Sequence, residues 1–296
     1  MNKICLTVDI EDWYHIPAVT GSEFARFKLV PTFMSAWKTR YDYLTQPTLT
    51  TLEILKSLNL KATFFVLTDI IDYYPGLLEK IVENDHEIAF HSYHHTINLN
   101  TKTKQANFTP TEFEHENGLA KNRLEQFIGR AVIGYRAPGA YIGKWMFDSL
   151  INLGFKFDSS ICPNSFYNKT DFDISKYQSN PFVIYEKGEQ KLIELPWAHF
   201  KFAGFTFPTP GGPFLRFFPA FYTIKGLNYS INRGDTVFYF HSIDIINEKL
   251  PHLASSNSNR PFYFKTNGIR TREKLIKILS LYKDCFTTCN LIINDI

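Results

Sequence analysis

The sequence predicts an α/β fold, a parallel sheet of the kind that forms a (β/α) barrel, and three observations predict it. Short apolar runs of strand length alternate with helical segments from Ile4 to about Leu153, the order that gives parallel strands joined by helical crossovers. Polar and ionisable residues follow those runs repeatedly: Asp9, Glu11 and Asp12 near the first, then His91, Arg136, Asp158 and His241. Groups gathered beyond strand ends are what a barrel presents on its catalytic face. Finally, 296 residues suit one large barrel, with no repeat at solenoid periods.

Each element has its own justification. Residues 4–8 are apolar and partly β-branched, and they run into Asp9-Ile10-Glu11-Asp12-Trp13. Acids at the end of a buried strand are costly without a partner, so this cluster marks a site. From about 15 to 46 no period is evident. Phe24, Phe27, Phe33, Trp37, Tyr41 and Tyr43 stand there among polar residues, which predicts an ordered aromatic insertion over one side of a cleft rather than disorder. Residues 48–58 read as a helix with Leu49, Leu52, Ile54 and Leu55 on its apolar side, 62–67 as a strand, and 75–83 as a helix with Pro75 in its first turn. Residues 87–90 then form the strand that delivers His91.

Thr109-Pro110-Thr111-Glu112 is a capping-box sequence that opens a helix ending near Gly129. Strands at 132–135 and 155–157 flank a helix at 144–153, and a further strand covers 191–197. Residues 200–222, rich in Phe, Pro and Gly and including Pro210-Gly211-Gly212-Pro213, read as an ordered aromatic loop. A strand at 236–240 precedes His241, residues 255–259 form a polar loop, 271–282 a helix and 285–293 a last strand. One domain over 1–296 is expected, with a C-terminal extension from about 245 whose role, completing the barrel or covering its mouth, is open.

Composition excludes several classes. A formal charge of +3 with no dense Lys/Arg stripe argues against nucleic acid. Cys5, Cys162, Cys285 and Cys289 contain no Cys-x2-Cys pair and read as reduced thiols. No apolar run reaches eighteen residues, so no transmembrane segment is expected. The opening residues pass directly into a strand, leaving no room for a signal peptide, and cytoplasmic residence is the expectation.

Four of the nine histidines fall within 85–95. His91 and His95, four apart, can reach one side of a helix-like turn and grip one divalent metal ion. No cysteine lies nearby to close a structural site, and a site with fewer protein ligands leaves room for water, as catalytic sites do. His94 reads as a neighbour, His86 as structural and His15 as a candidate for the cleft wall. Trp13, Tyr141, Trp197 and the 200–222 segment are aromatic candidates for stacking on the face of a ligand.

Taken in order, Thr7-Val8-Asp9-Ile10-Glu11-Asp12, Ala62-Thr63-Phe64-Phe65-Val66, His86-Glu87-Ile88 through His91-Ser92-Tyr93-His94-His95, Arg136-Ala137-Pro138, Asp158-Ser159-Ser160 and Phe240-His241 resemble the polysaccharide deacetylases, carbohydrate esterase family four. The resemblance covers most of residues 3–245 and is nearest to the branch associated with bacterial surface-polysaccharide synthesis. It implies a distorted (β/α) barrel with fewer than eight strands and one metal, most simply Zn²⁺ (with Co²⁺, Mn²⁺, Ni²⁺ or Fe²⁺ as alternatives), held by His91, His95 and one acid. Ile10 interrupts the commoner pair of adjacent aspartates, so both Glu11 and Asp12 are open as the third ligand. Strand alternation puts Glu11 on the side of Asp9, while the shorter arm of Asp12 suits a turn beside the metal and is slightly favoured.

The same resemblance implies Asp9 as general base, Arg136 as its partner, His241 as general acid and Asp158 as the residue positioning His241. The expected partner is an N-acetylated sugar or glycan, a lipid-linked or nucleotide-linked precursor being favoured by the lack of an export signal, with peripheral membrane contact through a lipid-linked one. Oligomeric state is open. Two rival readings are an allantoinase-like or imidase-like hydrolase of a cyclic amide and a non-catalytic carbohydrate-binding protein.

Overall fold

Strand β1 (Ile4–Ile10) is the axis of the sheet. The computed structural model describes residues 1–296 apart from 18, 21–24, 26, 28, 37–41, 176–178, 210, 248–267 and 295. Phe24, Trp37, Tyr41, Pro210 and the polar loop at 255–259 therefore lie outside the described residues. After β1 come β2 (Thr63–Val66), β3 (Glu87–Phe90), β4 (Gly134–Tyr135), β5 (Phe157–Asp158), β6 (Phe182–Lys187), β7 (Gln190–Glu194), β8 (His199–Phe202), β9 (Phe205–Pro208), β10 (Thr236–His241) and β11 (Phe286–Thr287). The α-helices are α1 (Val30–Ala36), α2 (Thr45–Ser57), α3 (Ile70–Tyr73), α4 (Leu77–Glu83), α5 (Pro110–Ile128), α6 (Trp145–Asn152), α7 (Pro213–Phe217), α8 (Ala220–Ile231), α9 (Gly268–Leu281) and α10 (Cys289–Ile293).

The strand order is β10-β1-β2-β3-β4-β5-β7-β6, parallel from β10 through β7, with β6 antiparallel at the end. The sheet curls into a half-barrel. Past β7, Trp197 bridges to Val237 of β10, and the Ala198 N–H donates to the Val237 carbonyl at 3.0 Å. The parallel run is thus shorter than eight strands, as the resemblance implied. Strands β8 and β9 form a separate antiparallel hairpin, which carries part of the expected aromatic loop; Phe200 and Phe207 stack across it at 5.2 Å.

Side chains alternate along a strand, so β1 sends Ile4, Leu6, Val8 and Ile10 to the helices and Cys5, Thr7 and Asp9 into the barrel. Phe65, Phe157, Trp197 and Tyr239 fill the interior. Phe65 and Phe157 are 0% exposed, and each such burial contributes roughly 2 kcal/mol. That packed floor leaves polar chemistry only at the open end.

Helix α5 begins as its sequence predicts. Thr109 Oγ1 accepts from the Glu112 N–H at 3.3 Å, Glu112 Oε2 accepts from the Thr109 N–H at 2.8 Å, and Gly129, at φ +71°, closes the helix. The C-terminus differs from expectation. Only Phe286–Thr287 of the expected strand at 285–293 pairs, against Ile4 and Cys5 of β1, because β2 begins opposite Thr7 and leaves just that short edge open. The chain then turns into α10, which buries Cys289, Ile292 and Ile293 under the barrel. The Cys289 N–H donates to Thr63 Oγ1 at 2.9 Å and the Asn290 N–H to Glu87 Oε2 at 3.1 Å. This part of the extension seals the floor, at the end of the strands opposite Asp9.

Candidate active site

The site forms where the parallel strands end. Asp9 of β1 and His241 of β10 lie opposite each other in register, and alternation turns both into the barrel with Tyr239 and Val237. Arg136 follows β4 and is 1% exposed. Its NH1 donates to Asp9 Oδ1 at 2.6 Å and to Thr7 Oγ1 at 3.0 Å, its Nε to the Ser159 carbonyl and its NH2 to Ser159 Oγ, both at 2.9 Å. The guanidinium also lies 3.9 Å from the Phe65 ring centroid. A buried arginine so fully engaged fixes its Asp9 partner in one orientation. The pairing expected between these two residues is what the structure contains.

The turn after β3 supplies the histidines. His91 Nε2 lies 2.8 Å and His95 Nε2 3.2 Å from the same Glu11 Oε1. His91 Nδ1–H donates to the Arg136 carbonyl at 2.7 Å; since a carbonyl only accepts, the Nε2 of a neutral ring is left bare. His95 Nε2 accepts from the Gly139 N–H at 3.2 Å, and His95 Nδ1 is buried without a hydrogen-bond partner among the described residues. Two imidazole lone pairs and a carboxylate oxygen therefore converge, an arrangement that repels itself unless a cation or protons intervene. The donor set of one carboxylate and two imidazoles fits a divalent metal. Burial by itself raises the Glu11 carboxyl, but His95, His241 and His91 outweigh it and hold the group well below the usual carboxylate range.

Asp12, slightly favoured from sequence as the third ligand, is elsewhere. Its Oδ1 accepts from the Trp13 N–H at 2.5 Å, and its Oδ2 from the Tyr43 N–H at 3.3 Å and from the Tyr74 hydroxyl. It caps the Trp13–His15 turn, and burial pushes its carboxyl up to about 6. Glu11, continuing the inward face of β1, is the acid that reaches the histidines. His15 and Trp13 also leave the cleft: His15 is 0% exposed, bonded to Asp69 Oδ2 at 3.1 Å, and Trp13 packs edge-on against Phe33.

His241 Nε2 lies 4.0 Å from Asp9 Oδ2 and 3.8 Å from Glu11 Oε1. Asp158 does not position it. That role falls to Asp244, whose Oδ2 lies 3.2 Å from His241 Nδ1 and accepts from the His241 N–H at 2.9 Å. Burial works against the charged imidazole, yet Glu11, Asp244 and Asp9 together push His241 up to about 9. Asp158 instead pairs in register with Glu194 of β7. Burial raises both carboxyls, Glu194 the more strongly because the Asp158 charge adds to it. Sequence reasoning passed over Asp244 and Glu194. Asp244, three residues beyond a strand-end histidine, was findable as a turn cap.

Asp9, Glu11, His91, His95, Arg136 and His241 line a cleft of about 320 Å³, walled by Ile16, Pro17, Ile97, Tyr141, Trp197 and Tyr239 among others. Of the aromatics weighed for stacking, Tyr141 and Trp197 line this cleft, and the start of the 15–46 insertion supplies Ile16 and Pro17.

Residues 35–157 match the family described as Polysaccharide deacetylase, and residues 159–293 match a domain of unknown function, DUF3473. Strands from both stretches share one sheet, since β5, at the end of the first, pairs with β7 of the second, and β1, which precedes both, pairs with β2 of the first and β10 of the second. A curated peptidoglycan deacetylase from Helicobacter pylori is 26% identical over 159 residues, which span 49% of this chain and 50% of that protein, about half its length. Among solved structures, a Mycobacterium smegmatis protein classed as a polysaccharide deacetylase superposes with a TM-score of 0.64 at 19% identity, over 100% of this chain and 91% of its own. PuuE allantoinase gives 0.57 at 12% identity, over 98% and 88%. Likeness at these identities is likeness of fold alone, an α/β half-barrel that this chain shares with both structures. The family match is confined to residues 35–157, and that stretch is what this chain shares with the polysaccharide deacetylases. No helix among the described residues is long and apolar enough to cross a membrane.

Proposed function

We propose that the chain is a divalent-metal-dependent N-deacetylase hydrolysing the acetamide of an N-acetylated sugar, in a polysaccharide or its precursor. The observation that carries this reading is the convergence, in one cleft, of an arginine-held carboxylate, a carboxylate–imidazole trio and a second, acid-supported imidazole. Glu11, His91 and His95 would hold the ion, Zn²⁺ being the simplest choice for this donor set. Once bound, such an ion lowers the pKa of water and polarises an amide carbonyl.

The protein groups perform the proton transfers. Asp9, fixed by Arg136, takes the proton of the attacking water. His241 carries a proton at neutral pH and gives it to the departing nitrogen, leaving a free amine and acetate. Asp244 holds the His241 ring with Nε2 towards the cleft. The Arg136 carbonyl holds His91, so a single residue orients both the base and a candidate ligand.

The test measures acetate release from N-acetylhexosamines, free, oligomeric and nucleotide-linked, on protein of known metal content, with cyclic imides alongside. Release should require the metal, and Asp9→Asn should lower turnover by roughly 10²–10⁴-fold. Stoichiometric metal with imide hydrolysis and no acetate would replace this reading by the cyclic-amide one. Glycan binding without any turnover would make the protein a binder.

A further inference from the structure

One charged group on the cleft wall has no part in that chemistry. Lys169, half-buried, lines the same cleft as Asp9, Glu11 and His241. Its ammonium donates to the Gly139 carbonyl at 2.8 Å and lies 5.6 Å from the centroid of the Tyr141 ring. An ammonium has three N–H donors, and among the described residues no carboxylate pairs with this one. The acids of the cleft are already engaged: Asp9 by Arg136, Glu11 by the imidazoles. Burial lowers the pKa of Lys169 and the positive charge of Lys104 adds to this, against opposing pulls from Cys162 and Glu11. A lysine kept partly desolvated beside another cation, with donors to spare, is stabilised by an incoming anion. Its position beside Tyr141 puts that anion next to a sugar ring seated on the aromatic wall.

We propose that Lys169 is a specificity residue, recognising an oxyanion, phosphate or carboxylate, carried by the N-acetylated sugar beside the acetamide to be hydrolysed. The substrate class is therefore an anionic amino sugar rather than a neutral chitin-like glycan. This inference rests on the deacetylase reading for the reaction, but not for the binding. The competing explanation is a brace: Lys169 holds the Gly139 carbonyl, and the Gly139 N–H bonds His95. A brace affects every substrate alike, whereas an anion site discriminates by charge.

The experiment compares N-acetylglucosamine 1-phosphate, N-acetylmuramic acid and the neutral methyl glycoside of N-acetylglucosamine on metal-loaded wild type, Lys169→Met and Lys169→Arg. Wild type should prefer one of the two anionic sugars, and whichever it prefers identifies phosphate or carboxylate. In Lys169→Met the ratio of kcat/KM for that sugar over the neutral glycoside should fall roughly 10-fold, through KM, as expected for one charge-assisted hydrogen bond. Lys169→Arg, which keeps the charge, should retain most of the ratio. Binding of the preferred sugar is also measured by calorimetry in an Asp9→Asn background, with and without Lys169→Met. Should no substrate turn over while this binding still depends on Lys169, the anion site stands and the deacetylase reading falls. Equal losses for neutral and anionic sugars, or a wild type indifferent to charge, overturn the proposal in favour of the brace.

Discussion

Asp244 sets the chemistry of His241 more directly than any residue the sequence suggested for it. A His pKa raised to about 9 means the proton is present below that value and lost as pH rises through it, so its loss appears on the alkaline limb of kcat/KM. Asp244→Asn removes one of the charges that raise it, and the alkaline limb should move to lower pH by roughly one unit or more. A limb that stays in place, or an acid limb that moves instead, would remove His241 from the acid role. Arg216 lies 3.9 Å from Asp244, so the variant's fold is checked by circular dichroism. Asp9 and Glu11 were legible as residues sharing a face, because alternation along a strand needs only local geometry. The choice against Asp12 was not, because the socket that claims it comes from Tyr43 and Tyr74, 31 and 62 positions away.

Among the elements, α5 was the most legible in sequence because its start signal is local. Both halves of the capping box are made, and Thr109→Ala should cost about 1 kcal/mol in urea unfolding, with the helix otherwise intact. No change in the midpoint would mean that water replaces the cap at no cost. The strand that delivers His91 was read at its observed limits, since an apolar run between turn signals fixes itself. The last strand was misread for the opposite reason. Residues 285–293 are apolar enough for either structure, and the choice depends on how much of the β1 edge β2 leaves open.

At the scale of the molecule, the interior packing and the α10 floor make the barrel a rigid holder for groups contributed by separate strands. An ion that binds the folded site but not the unfolded chain stabilises the whole fold by linkage. Zn²⁺ at about 100 times its Kd should add roughly 2.7 kcal/mol, raising Tm, and His91→Ala should abolish the rise. An equal rise in the variant would place the ion elsewhere. Residues 35–157 and 159–293 match separate families, but the cleft takes His91, His95 and Arg136 from the first, His241 from the second, and Asp9 and Glu11 from β1, which precedes both. Neither stretch holds the site alone.

The sequence by itself determined the parallel α/β architecture, the register-independent placing of functional groups at strand ends, and the pairing of His91 with His95, because periodicity, caps and short spacings are properties of neighbouring residues. Only the tertiary structure decided which acid meets those histidines, which acid supports His241, that Asp158 belongs to Glu194, and that Lys169 faces the same cleft. Apart from the local one between His241 and Asp244, those contacts join segments far apart in the chain, and the folded sheet is what brings them together.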